Sequence, residues 1–426
     1  MINIIRSFLH TRFILTVGLV LGSALISYFS SKIAFERFQA LGLVSLGNAL
    51  NYVGTVYILS SLSIESGLIR RMVILQRSNF KSFDGAIILL YPLGIILGFS
   101  YIFLMPLNGI ISSIYLIAFL IFLYFPYCVL RSYFIAIGKS EWNSLLVLVI
   151  ASSSLFAVLS ASTPDEIFKL IVFFQIILIG IILTLCCFMV DSFMLKLRIF
   201  HNIPDRKKIK LNIFRSINLL RYSVHSMSSG FQSNQFLLVS RIFLLNSVST
   251  EFAGQMEMYQ RPLIWLFTLG VTLVSLFFYP NIVKKEVEFR SNTSNSSIMR
   301  EIWKDIAIYG FCFFIFIVVA FPFLFWMTFG FDVEIELLMA SFWIFIFSLR
   351  MFAALFSSCF LAKNNIRGAM IGEAILYIPP IIVFSLPLTI FDDMQISMVT
   401  IYLIIIGISS LVQIGYFLFV LRIKPI

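Results

Sequence analysis

Long apolar stretches recur along the whole chain, separated by short polar segments. A helix needs roughly 20 apolar residues to cross the roughly 30 Å hydrocarbon core of a bilayer. Stretches of about this length predict twelve transmembrane helices at residues 12–31, 40–63, 84–104, 110–130, 144–161, 167–190, 218–245, 258–280, 305–328, 337–361, 368–390 and 396–421. The pattern therefore predicts an all-α polytopic membrane protein of about twelve spans.

The composition agrees with this interpretation, because 60% of the 426 residues are hydrophobic and only 12% are charged. Such values lie far outside the range of soluble domains.

The first apolar stretch is too long for a signal-peptide core and precedes no small-residue cleavage pattern, so we expect it to be a retained span.

The basic residues indicate the orientation, because loops on the cytoplasmic side keep Lys and Arg. With the N-terminus inside, most of the 31 basic residues fall in inner segments, and the outer loops are short and acidic. Both termini are therefore predicted to be cytoplasmic. The net charge of +11 is spread over these loops instead of lining one groove, so no nucleic-acid partner is expected.

A polar, basic stretch from Asp191 to Ser216 divides the predicted spans into six before it and six after it. We interpret residues 191–216 as a cytoplasmic linker between two six-helix lobes, residues 1–190 and 217–426. The segment Ser31–Gly42 also resembles Ser240–Gly254, each near the outer end of the first span in its half. An even number of spans per half would make the two halves parallel repeats.

The chain shows little sign of enzymatic or metal chemistry. Its cysteines lie in or beside predicted spans without paired spacing, so neither a disulfide nor a metal site is expected; they are Cys128, Cys186, Cys187, Cys312 and Cys359. No catalytic triad or carboxylate pair can be placed on one face. We therefore expect a protein that is not an enzyme and has no cofactor.

Charged residues inside predicted spans are costly and therefore informative. Arg350 would lie near the bilayer midplane, either as a cation that lines a water-filled cavity and binds an anion, or as a buried partner of a carboxylate or of helix carbonyls. Glu373 is either an ion-coupling carboxylate or the partner of a nearby cation. For Glu65, an interfacial ion pair with Arg70 or Arg71 is favoured.

Two predicted helices carry polar side chains at helical spacing. On the seventh span, the polar face predicts the wall of a cavity; its members are Arg221, His225, Ser228, Ser229, Gln232 and Gln235. Arg241 continues near the outer end of that span, and Arg261 begins the eighth from the same side. The second span carries a milder stripe with Asn48 and Asn51, for which helix–helix hydrogen bonding is slightly favoured over a cavity role.

Four local patterns add a family resemblance: FQALGLVSLGNALNYVG entering the second span, SIESGLIRRM at its inner end, LRSYFIAIGKSEWNS after the fourth span and FYPNIVKK closing the eighth. With the size and the six-plus-six arrangement, they make the chain similar to the Wzx-type O-antigen and polysaccharide-unit flippases. These belong to the multidrug/oligosaccharidyl-lipid/polysaccharide (MOP) exporter superfamily.

The resemblance implies a bacterial inner-membrane transporter whose two lobes face a central, positively charged cavity. Its substrate would be an undecaprenyl-pyrophosphate-linked oligosaccharide, its energy source an ion gradient, and its partners membrane lipids and other polysaccharide-assembly proteins. The cavity candidates would be Arg350, Arg241, Arg261, His225, Ser229, Gln232, Gln235, Asn48 and Asn51, with Glu373 for ion coupling. The alternatives are a drug or metabolite exporter of the same superfamily and a membrane O-antigen polymerase or glycosyltransferase.

Overall fold

The structure, a computed structural model, describes residues 11–65, 67–68, 84–104, 113–136, 139–189, 206–274, 278, 282, 295–330, 333, 335–362, 365–386 and 398–423. Within these ranges the regular secondary structure is helical and contains no β-strand. The main helices are α1 (Thr11–Ser61), α2 (Asp84–Leu104), α3 (Ile114–Ala136), α4 (Ser140–Ser160), α5 (Glu166–Met189), α6 (Arg206–Ser247), α7 (Thr250–Leu273), α8 (Asn295–Phe329), α9 (Leu337–Ala362), α10 (Ile366–Phe384) and α11 (Met398–Ile423).

Helix α1 consists of two helical segments joined at Gln39. This residue has φ 54° and ψ −144°, which interrupts the helix between the first and second predicted spans. The corresponding junction in the second half of the chain is the short connection between α6 and α7. There Ser249 caps α7, because its hydroxyl accepts a hydrogen bond of 3.1 Å from the Phe252 N–H. The similar segments Ser31–Gly42 and Ser240–Gly254 thus each contain a helix junction.

Nine of the described helices are long and apolar enough to cross a membrane, and the one near the N-terminus contains both segments of α1. Helices α6 and α7 are long as well, but their polar composition keeps them out of this set. The prediction of an all-α polytopic membrane protein is confirmed. The chain is a multi-pass membrane protein.

The chain divides into two compact units, and the divisions fall inside helices. Unit 1 comprises residues Met1–Ser30 and Asn48–Asn234, and unit 2 comprises Ser31–Gly47 and Gln235–Ile426. Both α1 and α6 therefore contribute to each unit. The division into lobes 1–190 and 217–426 stays a prediction. Of the predicted linker, residues 206–216 belong to α6 and the remainder lies outside the described residues.

In unit 1, α1 packs closely against α6. A β-carbon on Gly230 of α6 would lie 2.7 Å from the Ile58 side chain of α1. Gly67, which follows α1, also lies against α6, because its β-carbon would be 2.6 Å from the Leu219 carbonyl oxygen. These contacts bring the polar faces of the second and seventh predicted spans onto neighbouring helices. Small residues let helices approach closely in this way inside a bilayer.

Unit 2 has a core rich in aromatic side chains from α6, α9, α10 and α11. The rings of Phe243 and Phe384 stack with centroids 4.9 Å apart, and Phe384 stacks on Tyr402 at 5.2 Å. The Tyr402 hydroxyl accepts a 3.1 Å hydrogen bond from Gln260 on α7. This packing fixes the helices that carry most of the buried charge.

Candidate functional site

A buried group of three charged residues joins α6 to α7 in unit 2. The Nε of Arg241 donates to one carboxylate oxygen of Glu257, and the Nε of Arg261 donates to the other at 2.9 Å. Exposed fractions are 3% for Arg241, 1% for Glu257 and 6% for Arg261. Glu257 and Arg261 lie one turn apart on α7, which places both side chains on the same face. We call these three residues the arginine–glutamate triad.

Helix α1 approaches the triad at Gly47. A β-carbon on Gly47 would lie 2.5 Å from Nη2 of Arg261 and 2.8 Å from Cζ of Arg241. Real β-carbons essentially never approach other heavy atoms so closely, so the two guanidinium groups occupy space that only a glycine leaves open. Gly47 is thus part of the triad's surroundings, and it was absent from the sequence-based candidates.

The position of Glu257 corrects the sequence analysis, whose predicted spans 218–245 and 258–280 left this residue in the outer loop between them. Helix α7 begins at Thr250, so Glu257 lies within it and is almost fully buried. The four-residue spacing between Glu257 and Arg261 was the available signal. It indicates a helical ion pair once the helix is extended back to Ser249.

Arg350 on α9 lies in an aromatic environment in unit 2. Its guanidinium carbon is 5.2 Å from the ring centroid of Phe236, 5.3 Å from that of Phe347 and 5.8 Å from that of Tyr377. The residue is 7% exposed, and its Nε has no hydrogen-bond partner. Among the residues that the structure describes, no carboxylate forms an ion pair with Arg350. Cation–π contacts stabilise the charge here, in place of the carboxylate partner considered from the sequence.

The remaining unit 2 candidates are Gln235 and Glu373. Gln235 is buried on α6, and Glu373 is half-buried on α10. The role of Glu373 as an ion-coupling carboxylate stays a prediction, as does substrate binding by Gln235.

Unit 1 contains the other five candidates. His225 is buried, and Ser229, Gln232, Asn48 and Asn51 are half-buried. Gln232 donates a 3.0 Å hydrogen bond to the hydroxyl of Ser228, one turn earlier on α6. The Gln232 side-chain N–H is therefore bonded within the helix. That this face lines a cavity stays a prediction.

A second charged cluster in unit 1 was not predicted as such. Arg131 on α3 donates to Asn143 Oδ1 at 2.9 Å and to the Tyr57 hydroxyl at 3.0 Å, and it forms an ion pair with Glu65 at 3.4 Å. The sequence analysis expected Glu65 to pair with Arg70 or Arg71, which lie outside the described residues. The described partner is Arg131, because α3 brings it beside the end of α1.

The polar face of α6 can be tested by cysteine accessibility. In a variant without the five native cysteines, Ser229→Cys and Gln232→Cys should react with a hydrophilic thiol reagent, because both positions are only half-buried. One face of a helix returns every three to four residues, so the reactivity should follow that spacing. Mass spectrometry of the labelled protein measures the fraction modified.

Ser223→Cys is the matched control for Ser229→Cys. Ser223 lies on the same helix but is fully buried, and its hydroxyl donates to the Leu219 carbonyl at 3.0 Å. The control should react far more slowly. Equal reactivity at all three positions, or none, would contradict the proposed water-exposed face.

Comparison with known proteins identifies the fold. No protein-family model matches the sequence, and no curated protein matches it. A multidrug-resistance MATE-family transporter of the MOP superfamily, solved in an inward-facing conformation, superposes with a TM-score of 0.52 at 13% identity over 93% of each chain. A MATE protein solved in complex with MaD3S gives a TM-score of 0.51 at 11% identity over 95% of each chain. The chain has the fold of the MOP-superfamily transporters.

Proposed function

We propose that the protein is a flippase that moves undecaprenyl-pyrophosphate-linked O-antigen or polysaccharide repeat units across the bacterial inner membrane. The fold supports a transporter that exposes its substrate site alternately to the two sides of the membrane. The resemblance to Wzx-type flippases provides the substrate class. Both termini would be cytoplasmic, and an ion gradient would drive transport, with Glu373 as the candidate coupling residue.

One observation carries the choice of an anionic substrate. Among the described residues, the buried charged side chains of unit 2 are three arginines and one glutamate: Arg241, Arg261, Arg350 and Glu257. Burying an excess of positive charge costs free energy unless an anion offsets it. A pyrophosphate group provides two negatively charged phosphates, and the planar guanidinium groups match their oxygens.

The second candidate is a drug or metabolite exporter. The structural similarity to a multidrug-resistance transporter favours it, although at 13% identity this similarity concerns the fold alone. Many drug substrates are cations, and a site for them would need carboxylates or unoccupied aromatic faces. In unit 2 the aromatic rings of Phe236, Phe347 and Tyr377 already surround Arg350. A membrane polymerase or glycosyltransferase is the third alternative.

A transport assay with purified protein tests these alternatives. The protein is reconstituted in liposomes that contain a fluorescent undecaprenyl-pyrophosphate-linked glycan, and a membrane-impermeant quencher measures how much glycan reaches the opposite leaflet. We expect ion-gradient-dependent translocation of this glycan and no uptake of ethidium. Ethidium transport without glycan translocation would support the exporter instead, and altered glycan length would indicate a polymerase.

A further inference from the structure

Helix α6 is much longer than the span predicted within it. Its 42 residues, Arg206–Ser247, rise about 63 Å, which is roughly twice the thickness of the hydrocarbon core of a bilayer. The predicted span begins at residue 218, so the residues before it continue the same helix beyond the apolar run. We call residues 206–221 the basic extension of α6. It belongs to unit 1.

Large apolar side chains are exposed on one face of the basic extension. Ile213 is 45% exposed, Phe214 65% and Ile217 60%. These positions recur at helical spacing, and the exposed Arg221 continues the same face one turn later. The other side of the helix is buried, as at Leu219. Exposed apolar residues are ordinary when they are scattered, but three on one face form a patch that indicates a binding partner.

The charge of the basic extension indicates what kind of partner this is. The segment contains no acidic residue and six basic ones: Arg206, Lys207, Lys208, Lys210, Arg215 and Arg221. A helix that combines an exposed apolar face with a cluster of about four to eight Lys or Arg is typical of segments that lie on anionic membrane surfaces. The partner should therefore be negatively charged and should also accept apolar side chains.

We propose that the basic extension of α6 binds the surface of the membrane through anionic phospholipids such as phosphatidylglycerol. Ile213, Phe214 and Ile217 enter the boundary between headgroups and acyl chains, and the positive charge of the segment attracts the lipid phosphates. In the predicted topology this surface is the cytoplasmic leaflet. The inference concerns a surface outside the substrate site and holds for any substrate that the protein carries.

The position of the apolar patch favours lipid over an acidic protein. The patch lies between Ile213 and Ile217, directly before the predicted span, so the whole patch is within about 8 Å of the start of that span along the helix. The attraction of an anionic lipid surface also extends about 8 Å at physiological ionic strength. The headgroups of the protein's own bilayer are therefore within reach, and burial of the three side chains needs no second protein.

A fluorescent label in the full-length protein measures this docking. In a variant without the five native cysteines, Phe214→Cys carries the polarity-sensitive fluorophore NBD, and the protein is reconstituted in vesicles whose lipids bear a nitroxide quencher on the acyl chain. In vesicles that contain phosphatidylglycerol we expect a blue-shifted and quenched emission. Pure phosphatidylcholine vesicles should give a much weaker effect, and high salt should reverse the docking because it screens the surface charge.

Substitutions separate the contributions of charge and apolar contact. Lys207→Gln/Lys208→Gln/Lys210→Gln should lower the docking equilibrium constant on the order of 100-fold, because each charge near an anionic surface contributes about fivefold. Ile213→Ser/Ile217→Ser should lower it about tenfold or more through lost apolar burial. Both isoleucines are exposed, so the second variant should fold like the wild type even if the first does not.

The matched control is Lys139→Gln/Lys169→Gln/Lys304→Gln, which removes the same net charge at three exposed positions outside the basic extension. Its docking should equal that of the parent. Equal quenching with and without phosphatidylglycerol would mean that the face rests in any lipid, and the proposal would be wrong. A label that stays in water in both kinds of vesicle would also overturn it. A signal that follows protein density instead of phosphatidylglycerol content would assign the face to a second copy of the chain.

Discussion

Under the proposed flippase function, with Arg350 in the substrate site, replacement of Arg350 with alanine should reduce export of the lipid-linked glycan about 10- to 100-fold, the effect of losing one charge-assisted contact to a phosphate. Arg350 is buried among the rings of Phe236, Phe347 and Tyr377, which stabilise its charge by cation–π contacts. Translocation in liposomes measures the loss, normalised to the amount of folded protein.

Alanine also leaves a gap between the three rings, so Arg350→Met serves as the control for packing. Methionine fills a similar volume without the charge, and export should stay as low as in the alanine variant while thermal stability recovers. Arg350→Lys should restore export only in part, because lysine lacks the planar fork that binds phosphate oxygens. Wild-type export by Arg350→Met would remove Arg350 from the substrate site.

Hydropathy predicted helices well where they are surrounded by apolar partners. The predicted span 84–104 coincides with α2 (Asp84–Leu104), and the predicted span 337–361 differs from α9 (Leu337–Ala362) by one residue. In such helices the apolar run and the helix have the same ends, because polar residues are excluded until the chain leaves the hydrocarbon.

Hydropathy predicted the start of α7 poorly. The span was predicted to begin at residue 258, but α7 begins at Thr250 and includes the acidic residues Glu251 and Glu257. Hydropathy measures the cost of facing lipid, and it does not distinguish a loop carboxylate from one that is neutralised inside the protein. The helix continues through Glu257 because Arg241 and Arg261 neutralise its charge.

Some candidate site residues were predictable and their contacts were not. The cost of a charge inside the membrane singled out Arg350, and the polar face of the seventh predicted span led to Arg241 and Arg261; all three are buried. Their partners come from other helices or from unexpected positions: Glu257 for the first two and aromatic rings for the third. Side-chain pairing between helices depends on which faces meet, and a single sequence does not contain that information in any local pattern.

Gly47 is an example of a residue whose importance appears only in three dimensions. The chain contains 21 glycines, and in the sequence nothing distinguishes Gly47 from the others that lie in apolar spans. In the structure, a β-carbon at this position would meet both arginines of the triad, whereas one on Gly415 would find nothing within 4 Å. The two glycines therefore offer a matched pair for testing whether the triad stabilises unit 2.

Gly47→Leu should strongly destabilise the protein, because the new side chain would occupy the space of the two guanidinium groups. Displacing them breaks buried ion pairs and leaves charges without partners, at a cost on the order of 3–5 kcal/mol. The shift of the thermal unfolding midpoint in detergent measures the effect. Gly47→Ala should cause a smaller loss of about 1–3 kcal/mol, typical of overpacking by one methyl group.

The control is Gly415→Leu, which makes the same substitution on α11 at an exposed position of unit 2. Glycine to leucine raises helix propensity, by about 1 kcal/mol at most, so this variant should be as stable as the wild type or slightly more stable. The difference in unfolding midpoint between the two variants then measures the effect of displacing the triad and not the effect of the residue type. A Gly47→Leu protein that unfolds at the same temperature as Gly415→Leu would mean that the arginines move aside at little cost. The close approach of α1 would then have no part in holding Arg241 and Arg261 around Glu257.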